Sequence, residues 1–180
     1  MVETVDLTAG YYDDFSLDFG WTVSGAAPDG VWERADPNGT TSGGDFVNPE
    51  DDVTGDCGEM AYVTGNAATG GVGADDVDNA DVILTSPVMD LTNFGYPAIS
   101  FDSWWVNSGG NGTPNDSLKV YLSDGSDTYL AYVRTSSSSL PSWLFTQVYP
   151  TDFALDLSQI TITFVAADWQ ADGGHLVEAG

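Results

Sequence analysis

The residues with the clearest chemical capacity form one acidic run, Ala74-Asp75-Asp76-Val77-Asp78-Asn79-Ala80-Asp81. Asp76 and Asp78 alternate, so a loop or bulge can aim both carboxylates at one point. Calcium takes about six to eight hard oxygen ligands, and backbone carbonyls can supply some of them. The run is not an EF-hand. Counting from Asp76, Asp81 stands at the sixth place, which needs Gly, and Pro87 at the twelfth, which needs Glu. A solvated acidic turn is the other reading of the same residues.

A second set lies on one strand. Trp104 shares its parity with Ser100 and Asp102, and Tyr121 could join that face from a neighbouring strand. A flat ring beside carboxylates and hydroxyls can stack on a sugar and hydrogen-bond its edge. Trp104, Asp102 and Tyr121 are therefore the candidate ligand-binding residues. The alternative is that a loop or a neighbouring domain covers Trp104. Trp105 falls on the opposite face with Ile99 and Phe101 and reads as core.

Catalytic chemistry finds little support. No Gly-x-Ser-x-Gly elbow is present, and a Ser-His-Asp triad would have to use His175, the one histidine. Glu33, Glu50, Glu59 and Glu178 are available for glycoside hydrolysis, but nothing places two carboxylates on one strand face. Cys57 lies beside Asp56 and Glu59, which raise a thiol's pKa and blunt its reactivity. One Cys and one His also argue against zinc. The expectation is a non-enzyme.

The charge balance narrows the partners. The 180 residues hold 28 Asp+Glu against 3 Lys+Arg, a formal net charge of -25. Nucleic acid is excluded as a partner, since phosphate neutralisation needs Lys and Arg. Self-repulsion on this scale destabilises a compact state unless cations bind or ionic strength is high. A saline habitat would also account for the acidity. No apolar run approaches the ~20 residues of a transmembrane helix, so no membrane insertion is expected. No signal peptide is visible in residues 1–4 and beyond, so an export signal would lie outside this chain.

The elements that must position these residues are strands. Alternation is clearest at 99–105, 118–122 and 160–164, each with one apolar and one wetter face. Weaker candidates lie at 21–23, 31–34, 61–63, 82–86, 129–134, 143–148 and 176–179. Ser123-Asp124-Gly125-Ser126-Asp127 reads as a hairpin connection. Residues 36–59 carry little periodicity and read as a long acidic surface loop, and 107–115 as a Gly/Asn loop. About ten short strands with such loops suit an antiparallel sandwich in a single domain, 1–180.

Three stretches together resemble a family. Asp13-Asp14-Phe15, Gly20-Trp21-Thr22-Val23-Ser24-Gly25 and Val31-Trp32-Glu33-Arg34-Ala35-Asp36-Pro37 look like the opening of bacterial MAM-like jelly rolls, such as cleaved-adhesin modules. Tyr62-Val63-Thr64-Gly65-Asn66, Asp76-Val77-Asp78, Leu84-Thr85-Ser86-Pro87 and Asp90-Leu91 are similar to their middle. Phe164-Val165-Ala166-Ala167-Asp168 and Leu176-Val177-Glu178-Ala179 are similar to their final strands. Ser16 stands where the family commonly has an acid. The family also continues past Val-Glu-Ala, so a shortened last strand is expected at Gly180.

The resemblance implies an all-β, antiparallel two-sheet jelly-roll sandwich within a larger exported protein. It implies a structural calcium, with Asp14, Asn66 and Asp168 joining Asp76 and Asp78 as ligands. The expected function is a calcium-stabilised accessory or adhesion module, secreted or at the cell surface, that binds carbohydrate or protein. The alternatives are a structural subunit that self-associates through strand edges and shared calcium, and a glycan-active enzyme.

Overall fold

The computed structural model describes residues 10–66, 72–73, 75–108, 116–135, 142–169 and 176–180. Most of the 107–115 loop and His175 lie outside them, so the triad question falls there too. The first strands are β1 (Thr22–Gly25), β2 (Trp32–Ala35), β3 (Thr41–Ser42), β4 (Asp45–Phe46) and β5 (Ala61–Thr64). The middle of the chain gives β6 (Asp81–Thr85), β7 (Ile99–Ser103), β8 (Trp105–Ser108) and β9 (Ser117–Ser123). Then come β10 (Thr128–Arg134), β11 (Leu144–Val148), β12 (Thr161–Ala167) and β13 (Leu176–Ala179). Among the described residues the helical pieces are single 3-10 turns, Pro150–Asp152 and Leu157–Gln159, and no helix is long and apolar enough to cross a membrane.

The protein is all-β and antiparallel. A five-stranded sheet runs in the order β1, β6, β12, β9, β10. Its register aligns Leu84, Phe164 and Val120 in one row and Ile162 with Leu122 in the next. These residues form the inner face, and Leu118, Val120 and Leu122 are fully buried. The residues between them point outward. Thr22, Thr85, Thr163, Tyr121 and Leu130 form one outer row, and Ser24, Ile83, Val165, Lys119 and Val133 the next. A bulge between Leu130 and Tyr132 keeps Leu130 and Val133 on that same side.

Among the described residues four two-stranded pairings accompany it: β7 with β11, β8 with β13, β2 with β5, and β3 with β4. Three of them lay their inward side chains on the inner face of the large sheet. Trp32, Tyr62, Trp105 and Val177 pack there against Val82, Leu84 and Leu118. Ile99, Phe101 and Val148 pack against Val120, Leu122 and Ile162. Phe164 bridges both groups, with its ring 5.0 Å from Phe101 in an edge-to-face contact. Burying such side chains contributes about 1.5–3 kcal/mol each.

The strand expected over 99–105 divides at Trp104, because the chain changes partner there. Residues 99–103 pair with β11, whereas Trp104 exchanges backbone hydrogen bonds with Gly180 and leads into β8 beside β13. The expected loop over 36–59 holds the β3–β4 hairpin, and Val47 and Asn48 beyond it are buried. The expected core residues Ile99, Phe101 and Phe164 are only half-buried, while Trp105, Val120 and Ile162 are buried as expected.

The opening motif is an anchor. Asp13 accepts the backbone N–H of Phe15 and the indole N–H of Trp21, each at 2.8 Å. Phe15 takes a left-handed backbone conformation (φ 57°), which turns its ring edge-on to Trp21 and Tyr62. Gly30 does a related job before β2. At φ +67° it lies so close to the Asp76–Val77 peptide that a Cβ would sit 2.5 Å from Asp76 C. Only glycine lets these two segments meet without a shift.

Candidate functional site

Backbone ties draw the acidic run between two strand ends. Val77 N–H donates to Val177 O at 3.1 Å, and Asp168 N–H donates to Ala80 O at 3.1 Å. Asn79, in the left-handed conformation (φ 62°), turns the chain into β6. The charges of Asp78 and Asp168 are thereby felt at Asp76, and that of Asp76 at Glu178 on β13.

Burial pushes the Asp76 carboxyl up to about 6, with Asp78 and then Asp168 adding repulsion against the N–H donors that pull it down. Glu178 is buried and is lifted well above the usual carboxylate range. Burial is the main cause, and Asp76 and Asp75 add to it. Thr64 Oγ1 donates to Glu178 Oε2 at 3.0 Å and opposes that shift. The chain's own cations are engaged elsewhere. Arg34 donates to Phe15 O, Arg134 donates to Ser103 O, and Lys119 stands in an outer row of the large sheet. A region of concentrated negative potential such as this attracts a cation.

Of the five expected metal ligands, Asp78 and Asp168 act on Asp76 through their charge, and Asn66 and Asp14 are engaged elsewhere. The Asn66 side chain holds the 36–38 turn: Oδ1 accepts Asn38 N–H at 2.8 Å, and Nδ2 donates to Asp36 O at 3.1 Å. Asp14 belongs to a separate acidic group. Its Oδ1 accepts Ser16 N–H at 3.1 Å, and its charge acts on Asp52. Among the described residues, no three His, Cys, Asp or Glu side chains form a ready-made metal cage. A cation held by Asp76 and Asp78 would thus draw further oxygens from backbone carbonyls and water.

The separate acidic group surrounds a cleft of about 270 Å3 lined by Asp36, Asp51, Asp52, Val53, Gly58 and Glu59. Burial raises the Asp52 carboxyl to about 6, with Asp56 and Asp14 contributing, against the Val53 N–H that donates to it. Cys57 is exposed in the same loop.

The expected stacking platform needs correction. Trp104 is buried, donates its indole N–H to Val47 O at 2.6 Å, and packs with Val47, Val106 and Trp143. The 36–59 loop covers it, so it offers no open ring to a ligand. Tyr121 does not join that face either. It points outward from the five-stranded sheet, whereas Trp104 and Asp102 point outward from β7 and β8 on the opposite side of the core. Asp102 remains partly accessible, its carboxyl raised by burial and by Asp56.

Other aromatics occupy the outer side of β7–β11. Phe145 lies opposite Asp102, and Gln147 opposite Ser100. Tyr149 continues that parity in extended conformation, and its hydroxyl donates to Gln147 Oε1 at 2.8 Å. Tyr96 leans on Tyr149 with ring centroids 5.1 Å apart and planes at 30°. Alternation within 143–148 would have picked out Phe145 and Gln147. No local pattern links Tyr96 to Tyr149.

Comparison of the sequence with protein-family models and with curated proteins finds no match.

Proposed function

We propose that the chain is a non-catalytic, calcium-stabilised module of jelly-roll type from a secreted or cell-surface protein, serving to bind carbohydrate or protein. The observation that carries the reading is Asp76, a buried carboxylate pushed up to about 6 by burial and by the charges of Asp78 and Asp168. Such an arrangement raises the free energy of the fold when ionised, and a divalent cation among the carboxylates reverses that cost. Asp76 and Asp78 would hold the ion, with Asp168 adding charge from the end of β12. The antiparallel all-β architecture and the ordered blocks that resemble MAM-like domains support the same reading.

The test is thermal unfolding with chelator, calcium, magnesium or sodium chloride at matched ionic strength. Calcium should raise the melting temperature above the chelated value by several degrees, since a site at a hundredfold excess over its Kd gains about 2.7 kcal/mol. Magnesium should do less, because it holds its water and demands octahedral geometry. Replacing Asp76 and Asp78 with Asn should remove the calcium-specific part and leave the salt response. Equal rescue by sodium chloride would reduce the cluster to a solvated acidic surface.

A further inference from the structure

The outer side of β7–β11 carries a line of aromatic side chains beside polar ones. Phe145 is 62% exposed and Tyr96 64%, and Tyr96 joins this face through its ring contact with Tyr149. Phe145, Gln147 and Tyr149 follow one another at two-residue intervals, a line of about 13–14 Å at strand spacing. That length accommodates more than one sugar ring.

Two of the rings, Tyr96 and Tyr149, are held in place before any ligand arrives. Tyr149 backs Tyr96, and its own hydroxyl is fixed on Gln147. The Tyr96 hydroxyl reaches Asp152 Oδ1 at 3.5 Å. Beside the rings stand groups that hydrogen-bond in both directions. With Oε1 engaged by Tyr149, Gln147 presents its amide N–H groups as donors. Ser100 can donate or accept, and Asp102 and Asp152 accept. Sugar hydroxyls need this mixture along the edge of a ring whose C–H face lies on an aromatic plane.

From this juxtaposition we propose that Tyr96, Tyr149 and Phe145, with Gln147, Ser100 and Asp102, form a binding platform for a neutral polysaccharide chain. The proposal rests on the reading of this chain as a binding module and names the ligand class and site. The charge pattern selects neutral glycans. Arg134 reaches the strand edge at Ser103 O, but two carboxylates border the face and the molecule carries -25 overall. Anionic polysaccharides are repelled under these conditions. The acidic loop around Asp56, close enough to raise the Asp102 carboxyl, bounds one end of the platform.

Affinity electrophoresis against β-glucan, xylan, galactomannan, α-glucan and polygalacturonate tests the proposal, with calcium present throughout. At least one neutral polysaccharide should retard the protein, and polygalacturonate should not. Phe145→Ala and Tyr96→Ala should each weaken that binding by about two- to twelvefold, the scale of a lost stacking contact. Their melting temperatures should stay near the parent's, because both rings are exposed. Tyr121→Ala, on the far side of the molecule, should bind as the parent does. Retention by none of the neutral polysaccharides overturns the proposal. So does sedimentation showing self-association that Phe145→Ala abolishes, which would make the face a protein interface. Either result would leave calcium-specific stabilisation intact, whereas loss of that stabilisation alone would strike the module reading and not the platform.

Discussion

The indole N–H of Trp104 points away from the main core and donates to the carbonyl of Val47 at 2.6 Å. Val106 and Trp143 pack around the same two residues, and Trp143 donates its own N–H to Asp51 O at 3.0 Å. A small second core thus fastens the 47–51 segment to the outer side of β8.

Trp104→Ala should therefore destabilise the fold by about 3–5 kcal/mol, the range for a buried aromatic truncated to Ala. In a chain of this size that corresponds to a drop of roughly 6–20 °C in melting temperature. Trp104→Phe should lose less, since it keeps most of the packing and forfeits the hydrogen bond to Val47. Calorimetry on both variants checks the order. An unchanged melting temperature for the Ala variant would place Trp104 outside any core.

The pH dependence of stability should carry the mark of Asp52. Its carboxyl is raised from 3.8 to about 6 in the folded protein, so the folded state binds the proton more tightly than the unfolded chain. Stability consequently falls as pH rises from about 4 to about 6, and the loss is complete above that window. Asp52→Asn should raise the melting temperature at pH 7–8 and flatten the slope between pH 4 and 6. Asp76 contributes a slope of the same sign in chelator. Glu178 and Asp102 are raised as well, so the Asp52 part is read in saturating calcium as the difference in slope between parent and variant. An Asp52→Asn variant that keeps the parent's slope from pH 4 to 6 under those conditions would contradict this assignment.

Gly30→Ala should be among the most damaging small substitutions. The new methyl meets the Asp76–Val77 peptide at 2.5 Å, and φ +67° is itself unfavourable for Ala. The two costs together come to about 2–5 kcal/mol. Because the displaced peptide carries Asp76, calcium should also stabilise the variant less than the parent. A titration followed by melting temperature reads both effects. Gly43→Ala is the control: its φ is also positive (+65°), but nothing lies within 4 Å, so only the backbone cost should appear.

The strands were legible because pleated chains with one buried face alternate, and β7, β9 and β12 do so plainly. Alternation also put Trp104 and Trp105 on opposite faces. What it could not supply was the cover over Trp104. Val47 comes from a segment without periodicity, and its contact spans 57 residues of chain. The same limit governed the acidic residues. Asp76 and Asp78 are local neighbours, and Asp168 joins them through the pairing of β6 with β12. Asp14 and Asn66 have ordinary turn-forming roles whose side-chain partners sequence spacing does not reveal. Tyr96 and Tyr149 meet only because the Ile99–Ser103 and Leu144–Val148 strands are in register.

Thr64 and Ala179 exchange hydrogen bonds across 115 residues of chain. At translation rates of about 5–20 residues per second, roughly 6–23 s separate the synthesis of these two partners. Throughout that interval the Trp32–Tyr62 side of the core faces solvent without its Val177–Ala179 lid. Topologies closed by such distant pairings fold slowly. For this chain the exposed apolar interval falls during biosynthesis, when a chaperone that shields the early strands has the most to contribute.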